Sequence, residues 1–117
     1  MLTLDNVYRA GNILREVVRK TDLVYAPKLK PGADIYLKTE NLQITGSFKI
    51  RGAYYKITRL TVEERARGVV ACSAGNHAQG VAYAAKEFGC KATIVMPSIT
   101  PLIKVNRTKL WSRHLSC

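Results

Sequence analysis

No apolar run in this sequence approaches the ~20 residues that a bilayer crossing needs, and no signal peptide precedes Asn6. Membrane-spanning and secreted classes are excluded on that reading, and a cytoplasmic protein is expected. Cysteine is scarce. Cys72, Cys90 and Cys117 have neither zinc-ligand spacing nor the even count of a disulfide framework. Cys72 and Cys90 fall in or beside apolar stretches, which predicts buried free thiols. No metal-site pattern, internal repeat or low-complexity segment is present. Acidic residues are few, 8 against 19 Lys and Arg, so the formal net charge reaches +11. Such a charge suits a phosphate backbone, but the basic residues are scattered and no aromatics are interleaved among them for base stacking. Nucleic acid is therefore excluded as a partner. The charge reads as solvated, or as the counterpart of an acidic segment that is missing.

What is present is the composition of a soluble globular chain, 47% hydrophobic and 23% charged over 117 residues, enough for one domain or less. Val7, Ala10, Leu14, Val17 and Val18 recur at helical spacing and predict an amphipathic helix. Residues 34–38 read as a short strand after the turn at Pro31-Gly32. The helix carrying Lys49 is expected to run to about Leu60, with Ser47 suited to cap it. Thr61 and Glu64 have capping-box spacing, and Gly68 can close the short helix they open. Val69–Cys72 reads as a fully buried strand, the Ala-rich segment His77–Phe88 as a helix stopped by Gly89, and Ala92–Met96 as a second buried strand halted by Pro97. Strand, turn, helix and strand over ~30 residues make a βαβ unit with parallel strands, so the fold class is α/β, a parallel sheet with flanking helices. A last helix is expected from Thr100, with Pro101 at its first position.

Two stretches carry chemistry. In Thr45–Ala53 (TGSFKIRGA), Lys49 falls in the first turn of its helix, at the positive end of the helix dipole, where a cation is disfavoured. That setting suits an amine that must attack an aldehyde in its neutral form. In Ser73–Gly80 (SAGNHAQG), the loop follows a strand and opens a helix, so backbone N–H groups converge where an anion can sit. Ligands of parallel sheets bind at this carboxyl end of the strands.

Together these stretches resemble the lysine loop and the substrate-carboxylate loop of the fold-type II pyridoxal-phosphate enzymes, and most nearly the serine/threonine dehydratases (threonine ammonia-lyases). The resemblance runs from about Val7 to Lys109. It implies pyridoxal 5′-phosphate as cofactor, held by Lys49, which also moves the substrate's α-proton. Phe48 would pack beside the pyridine ring or serve as a core aromatic. Ser73, Ala74, Gly75, Asn76 and His77 would hold the substrate carboxylate, with Asn76 also reaching the cofactor. His77 would contribute either its side chain or only backbone donors. The implied reaction is dehydration and deamination of L-threonine, or L-serine, to 2-oxobutanoate, or pyruvate, and ammonia. A small amino acid is the implied partner, with no membrane, no nucleic acid and no metal, and the parent enzyme is implied to be a homo-oligomer. Serine racemases resemble this loop but carry a second serine where Ala74 stands, and the loops of β-replacing cysteine synthases follow a different pattern. A dehydratase is therefore favoured over both.

The resemblance also implies absences. The family's glycine-rich phosphate cradle lies beyond the carboxylate loop, and no run here resembles it. The chain is accordingly expected to be an incomplete portion of the two-domain tryptophan-synthase-β-like fold, residues 1–50 from the large domain and 51–109 from the small one. On its own it is expected to be inactive, so the competing reading is a catalytically dead fragment or an interaction protein. The N-terminal helix and strand are expected to expose apolar faces. Up to Lys109 the chain keeps family register, and Leu110–Cys117 departs from it. Back-translating Lys109–Leu115 as AAG CTA TGG AGC AGA CAT CTA and reading one base later yields Ser-Tyr-Gly-Ala-Asp-Ile, the family continuation. Residues 110–117 are therefore expected to be a frameshifted tail without an apolar strand, in which Trp111 packs poorly.

Overall fold

The computed structural model describes residues 1–111 and the backbone of residues 115–116. Helix α1 (Leu4–Leu14) is capped by the Thr3 hydroxyl, which accepts from the Asn6 amide at 3.3 Å, with Asp5 favourably placed in the first turn. Only Leu14 of its apolar stripe is buried, and Leu4, Val7 and Tyr8 face outward. The helix ends at Leu14, short of the spacing that extended to Val18. A closing turn follows instead, in which the Val17 and Val18 amides both donate to the Leu14 carbonyl at 3.0 Å.

Strands β1 (Leu23–Tyr25) and β2 (Tyr36–Lys38) pair antiparallel, with Leu23 opposite Lys38 and Tyr25 opposite Tyr36. The two tyrosine rings stack at 5.1 Å. Strand β1 has no counterpart in the sequence reading, because three residues exposed on both faces carry no hydrophobic period. Every residue of this ribbon is exposed, and with outward α1 it gives the chain the uncovered apolar face expected of it.

The core lies around α2 (Lys49–Thr58), β3 (Val69–Cys72), α4 (Asn76–Glu87) and β4 (Ala92–Val95), and the short α3 (Val62–Arg67) contributes no buried residue to it. Strands β3 and β4 run parallel in register, Val69 beside Ala92 and Cys72 beside Val95, which is the βαβ unit. Ala78, Ala82, Ala84 and Ala85 leave essentially no surface exposed. Small side chains there let α4 lie close to α2 and the sheet. Gly80 takes this furthest: a Cβ on it would stand 3.1 Å from the Lys49 carbonyl carbon and oxygen. The capping box at Thr61 forms in both directions, Glu64 amide to Thr61 hydroxyl at 3.2 Å and Thr61 amide to Glu64 carboxylate at 2.8 Å. Gly68 ends α3 at φ +87°, where a Cβ would meet the Lys91 carbonyl oxygen at 2.8 Å, so only glycine fits.

Two expectations need correction. Strand β3 is not fully buried: Ala71 is, but Val70 is 75% exposed and Cys72 is exposed. β3 is the edge of its sheet, and α2 and α4 cover one face only, so the period-2 alternation sends Val70 and Cys72 outward. Cys72 is thus not a buried thiol, whereas Cys90 is buried, its thiol donating to the Arg65 carbonyl at 3.2 Å. Cys117 lies outside the described residues. In the tail, α5 (Leu102–Trp111) runs past Lys109, and the half-buried Trp111 ring meets Tyr83 edge-on at 5.3 Å. The two-residue β5 (Leu115–Ser116) pairs parallel with β4, Leu115 beside Ala92.

Candidate active site

Lys49 opens α2, but the N-cap residue is Phe48, already helical at φ −65° and ψ −11°, and not Ser47. Ser47 is buried and its hydroxyl accepts the Lys49 amide at 3.4 Å, a weak substitute for a cap. The Lys49 and Phe48 side chains are both exposed, with Nζ 4.9 Å over the centre of the Phe48 ring. Phe48 is therefore not a core aromatic, for more than half of it (57%) remains accessible. Ile50, next in the chain, is wholly buried and anchors the turn.

The lysine is held from both sides. Behind it, Gly80 brings α4 against its backbone. Below it, Arg51 donates to both oxygens of Glu40, Nε to Oε2 at 2.9 Å and Nη2 to Oε1 at 2.8 Å, and Glu40 also accepts the Thr21 hydroxyl at 2.6 Å. The Arg51 hydrogen bonds hold the Glu40 carboxyl down at about 2, against an ordinary 4.5. This pair ties the first turn of α2 to the short 3₁₀ turn at Glu40–Leu42.

The second stretch lies at the carboxyl end of β3. The Ser73 amide continues the sheet, donating to the Val95 carbonyl at 3.0 Å, and the Gly75 amide donates to the Ser73 hydroxyl at 3.2 Å. Those two N–H groups are engaged. Among the described residues, none of the hydrogen bonds found for the loop uses the amides of Ala74, Asn76 or His77, which stand at the positive end of α4. Ser73, Ala74 and Gly75 are half-buried, and Asn76 and His77 are exposed.

Helix packing brings the two stretches together. A cleft of about 260 Å³ is lined by Phe48, Lys49, Arg51, Gly52, Ala53 and His77. Ser73, Ala74, Gly75 and Asn76 are outside that lining, one turn of chain before His77. A larger apolar cavity of about 400 Å³ runs from His77 along α2 and β3. It does not include Lys49, so the smaller cleft is where chemistry that needs that amine can occur. Sequence reading missed Gly52 and Ala53 as cleft residues. Their spacing of three and four from Lys49 puts them on its helix face and could have revealed them. Arg51 and Glu40 left no such signal, since their pairing is tertiary.

The donor set suits a phosphorylated aldehyde cofactor. A primary amine faces the cleft with an aromatic face beside it, small residues at positions 52 and 53 leave room, and no carboxylate lines the cleft to repel a phosphate. Among the described residues no cluster of three potential metal ligands occurs, and no helix is long and apolar enough to cross a membrane.

Comparison with known proteins points the same way. The model of a family described as pyridoxal-phosphate dependent enzyme matches residues 14–115. The L-threonine ammonia-lyase of Thermotoga maritima is 59% identical over 111 residues, which are 93% of this chain and 28% of that protein. Among solved structures, the processed form of threonine deaminase isoform 2 from Solanum lycopersicum superposes with a TM-score of 0.83 at 36% identity, over 98% of this chain and 34% of that one. Maize serine racemase superposes with a TM-score of 0.89 at 36% identity, over 97% of this chain and 35% of that one. The chain thus spans about a third or less of the length of the relatives it matches.

Proposed function

Because the chain belongs to the family of pyridoxal-phosphate dependent enzymes, we propose that it is the lysine-bearing and carboxylate-binding portion of an L-threonine ammonia-lyase. Its α/β architecture is part of the two-domain fold-type II arrangement. We assign residues 1–50 to the large domain and 51–109 to the small one, and keep 110–117 as a tail read out of frame. The longer, cytoplasmic, homo-oligomeric protein carries turnover, with this stretch alone inactive. The observation that carries the proposal is the shared cleft of Lys49 and His77.

Lys49 would hold pyridoxal phosphate through its aldehyde carbon, with Phe48 against the ring and Asn76 within the same site. The bound cofactor supplies an electron sink for the charge left when the α-proton departs. The free amides of Ala74, Asn76 and His77, with the Ser73 hydroxyl and the dipole of α4, receive the substrate carboxylate. That would fix the α-carbon relative to Lys49, whose amine, once released from the cofactor, would remove the α-proton. Loss of the β-hydroxyl as water then leaves an enamine. Its hydrolysis returns the water and yields 2-oxobutanoate and ammonia from threonine, or pyruvate and ammonia from serine. Ala74 supports elimination over racemisation. Its methyl group carries no exchangeable proton to deliver to the opposite face.

Trapping tests the assignment of Lys49. The chain is incubated with pyridoxal phosphate, reduced with borohydride and mapped by peptide mass spectrometry. Label concentrated on Lys49, lost in Lys49→Ala and retained in Lys28→Ala, is the expected result. Label spread evenly over the exposed lysines overturns it.

A further inference from the structure

Five cationic side chains, Arg15, Arg19, Lys20, Lys38 and Arg51, line a second cavity of about 290 Å³ between the end of α1 and β2. No acidic residue lines it. Glu40, the carboxylate that pairs with Arg51, has both oxygens committed to Arg51 and Thr21. Two of the other cations are fixed by neutral groups: Arg19 donates Nη1 to the Leu42 carbonyl at 3.0 Å, and Lys38 donates Nζ to the Thr21 carbonyl. A carbonyl orients a cation without cancelling its charge. The segment that carries them is also clamped, since the buried Gln43 side chain accepts the Arg19 amide at 3.1 Å and donates to the Arg19 carbonyl at 2.6 Å. Arg15 and Lys20 complete the rim, with no hydrogen-bond or ion-pair partner found among the described residues.

Like charges gathered this closely repel one another, and a surface under no constraint disperses them. Here backbone carbonyls hold Arg19 and Lys38, and the Glu40 carboxylate holds Arg51, around one concavity that Arg15 and Lys20 also line, preorganised for a multivalent anion. We infer that this cavity is a binding site for a phosphate dianion, free or as the monoester of a small molecule. Arg51 lines both this cavity and the Lys49 cleft, so an anion bound here adjoins the first turn of α2. The inference stands on the cation geometry alone and does not depend on the reaction assigned to the cleft.

Binding to the 117-residue chain, without cofactor, is measured by titration calorimetry against inorganic phosphate and against glycerol 3-phosphate, with chloride at matched ionic strength as the screening control. Saturable one-to-one binding of either phosphate, absent with chloride, is expected. The double variant Arg15→Gln/Lys20→Gln removes two rim charges that support no fold contact and should weaken Kd about tenfold or more. Lys28→Gln/Lys30→Gln removes the same charge elsewhere and should change Kd less than about twofold. Tighter binding of the ester identifies a phosphorylated metabolite as the ligand, and equal binding identifies the free anion. The inference is overturned if neither phosphate binds beyond chloride, or if the two double variants lose affinity equally.

Discussion

Replacing Glu40 by Gln keeps the shape of the side chain that anchors the lysine-bearing helix but removes its charge. The carboxylate is largely buried, at 15% side-chain exposure, while Arg51 keeps 34%. A carboxyl held at about 2 in the fold, against an ordinary 4.5, corresponds to a ceiling of about 3 kcal/mol of stabilisation. Solvent reaches the guanidinium, so screening lowers the expected figure to about 1–2 kcal/mol. The folded-state value is the depressed one. This stabilisation is therefore complete above about pH 4.5 and is lost as pH falls towards about 2. Urea unfolding at low micromolar protein, followed by far-ultraviolet circular dichroism, measures it. Glu40→Gln should be less stable than the parent by about 1–2 kcal/mol at pH 7, and the two should converge near pH 2. The double variant with Arg51→Gln should show coupling of similar size. A parent and variant that lose stability in parallel between pH 4.5 and 2 would refute the reasoning.

Further outcomes follow from particular contacts. Gly80→Val forces a branched side chain against the Lys49 carbonyl, where even a Cβ stands at 3.1 Å. It should cost about 1–3 kcal/mol in the same unfolding assay and reduce borohydride trapping at Lys49, whereas Gly52→Ala, with open space around its Cβ, should leave stability nearly unchanged. Thr61→Ala removes the capping box and should destabilise by about 1 kcal/mol, with faster hydrogen exchange at the Glu64 amide. Cys72 is exposed, while burial raises the Cys90 thiol above its ordinary range. Peptide-mapped alkylation by iodoacetamide at pH 8 should therefore modify Cys72 about tenfold faster or more, and equal rates would contradict the burial described.

Much of this protein was legible from the residues alone, because the governing rules are local. The capping box at Thr61 and Glu64, the glycine stop at Gly68 and the βαβ order of residues 69–95 all depend on neighbours within a turn or two, and the structure has them. The two candidate stretches were legible as local patterns, a lysine in a helix's first turn and a loop between strand and helix, and their roles were read from the resemblance to the pyridoxal-phosphate enzymes. Burial was not legible. An apolar run such as Val69–Cys72 states what a strand tolerates on its two faces, not how many faces a neighbour covers, and β3 turned out to be an edge with one face open. Nor could spacing show that Arg51 reaches Glu40, that Gly80 admits the Lys49 backbone, or that five cations from three separate segments share one cavity. Those are contacts between residues far apart in the chain. Local sequence determined which elements form and which residues can do chemistry, and only packing decided which of them meet, because steric fit and charge pairing act through space.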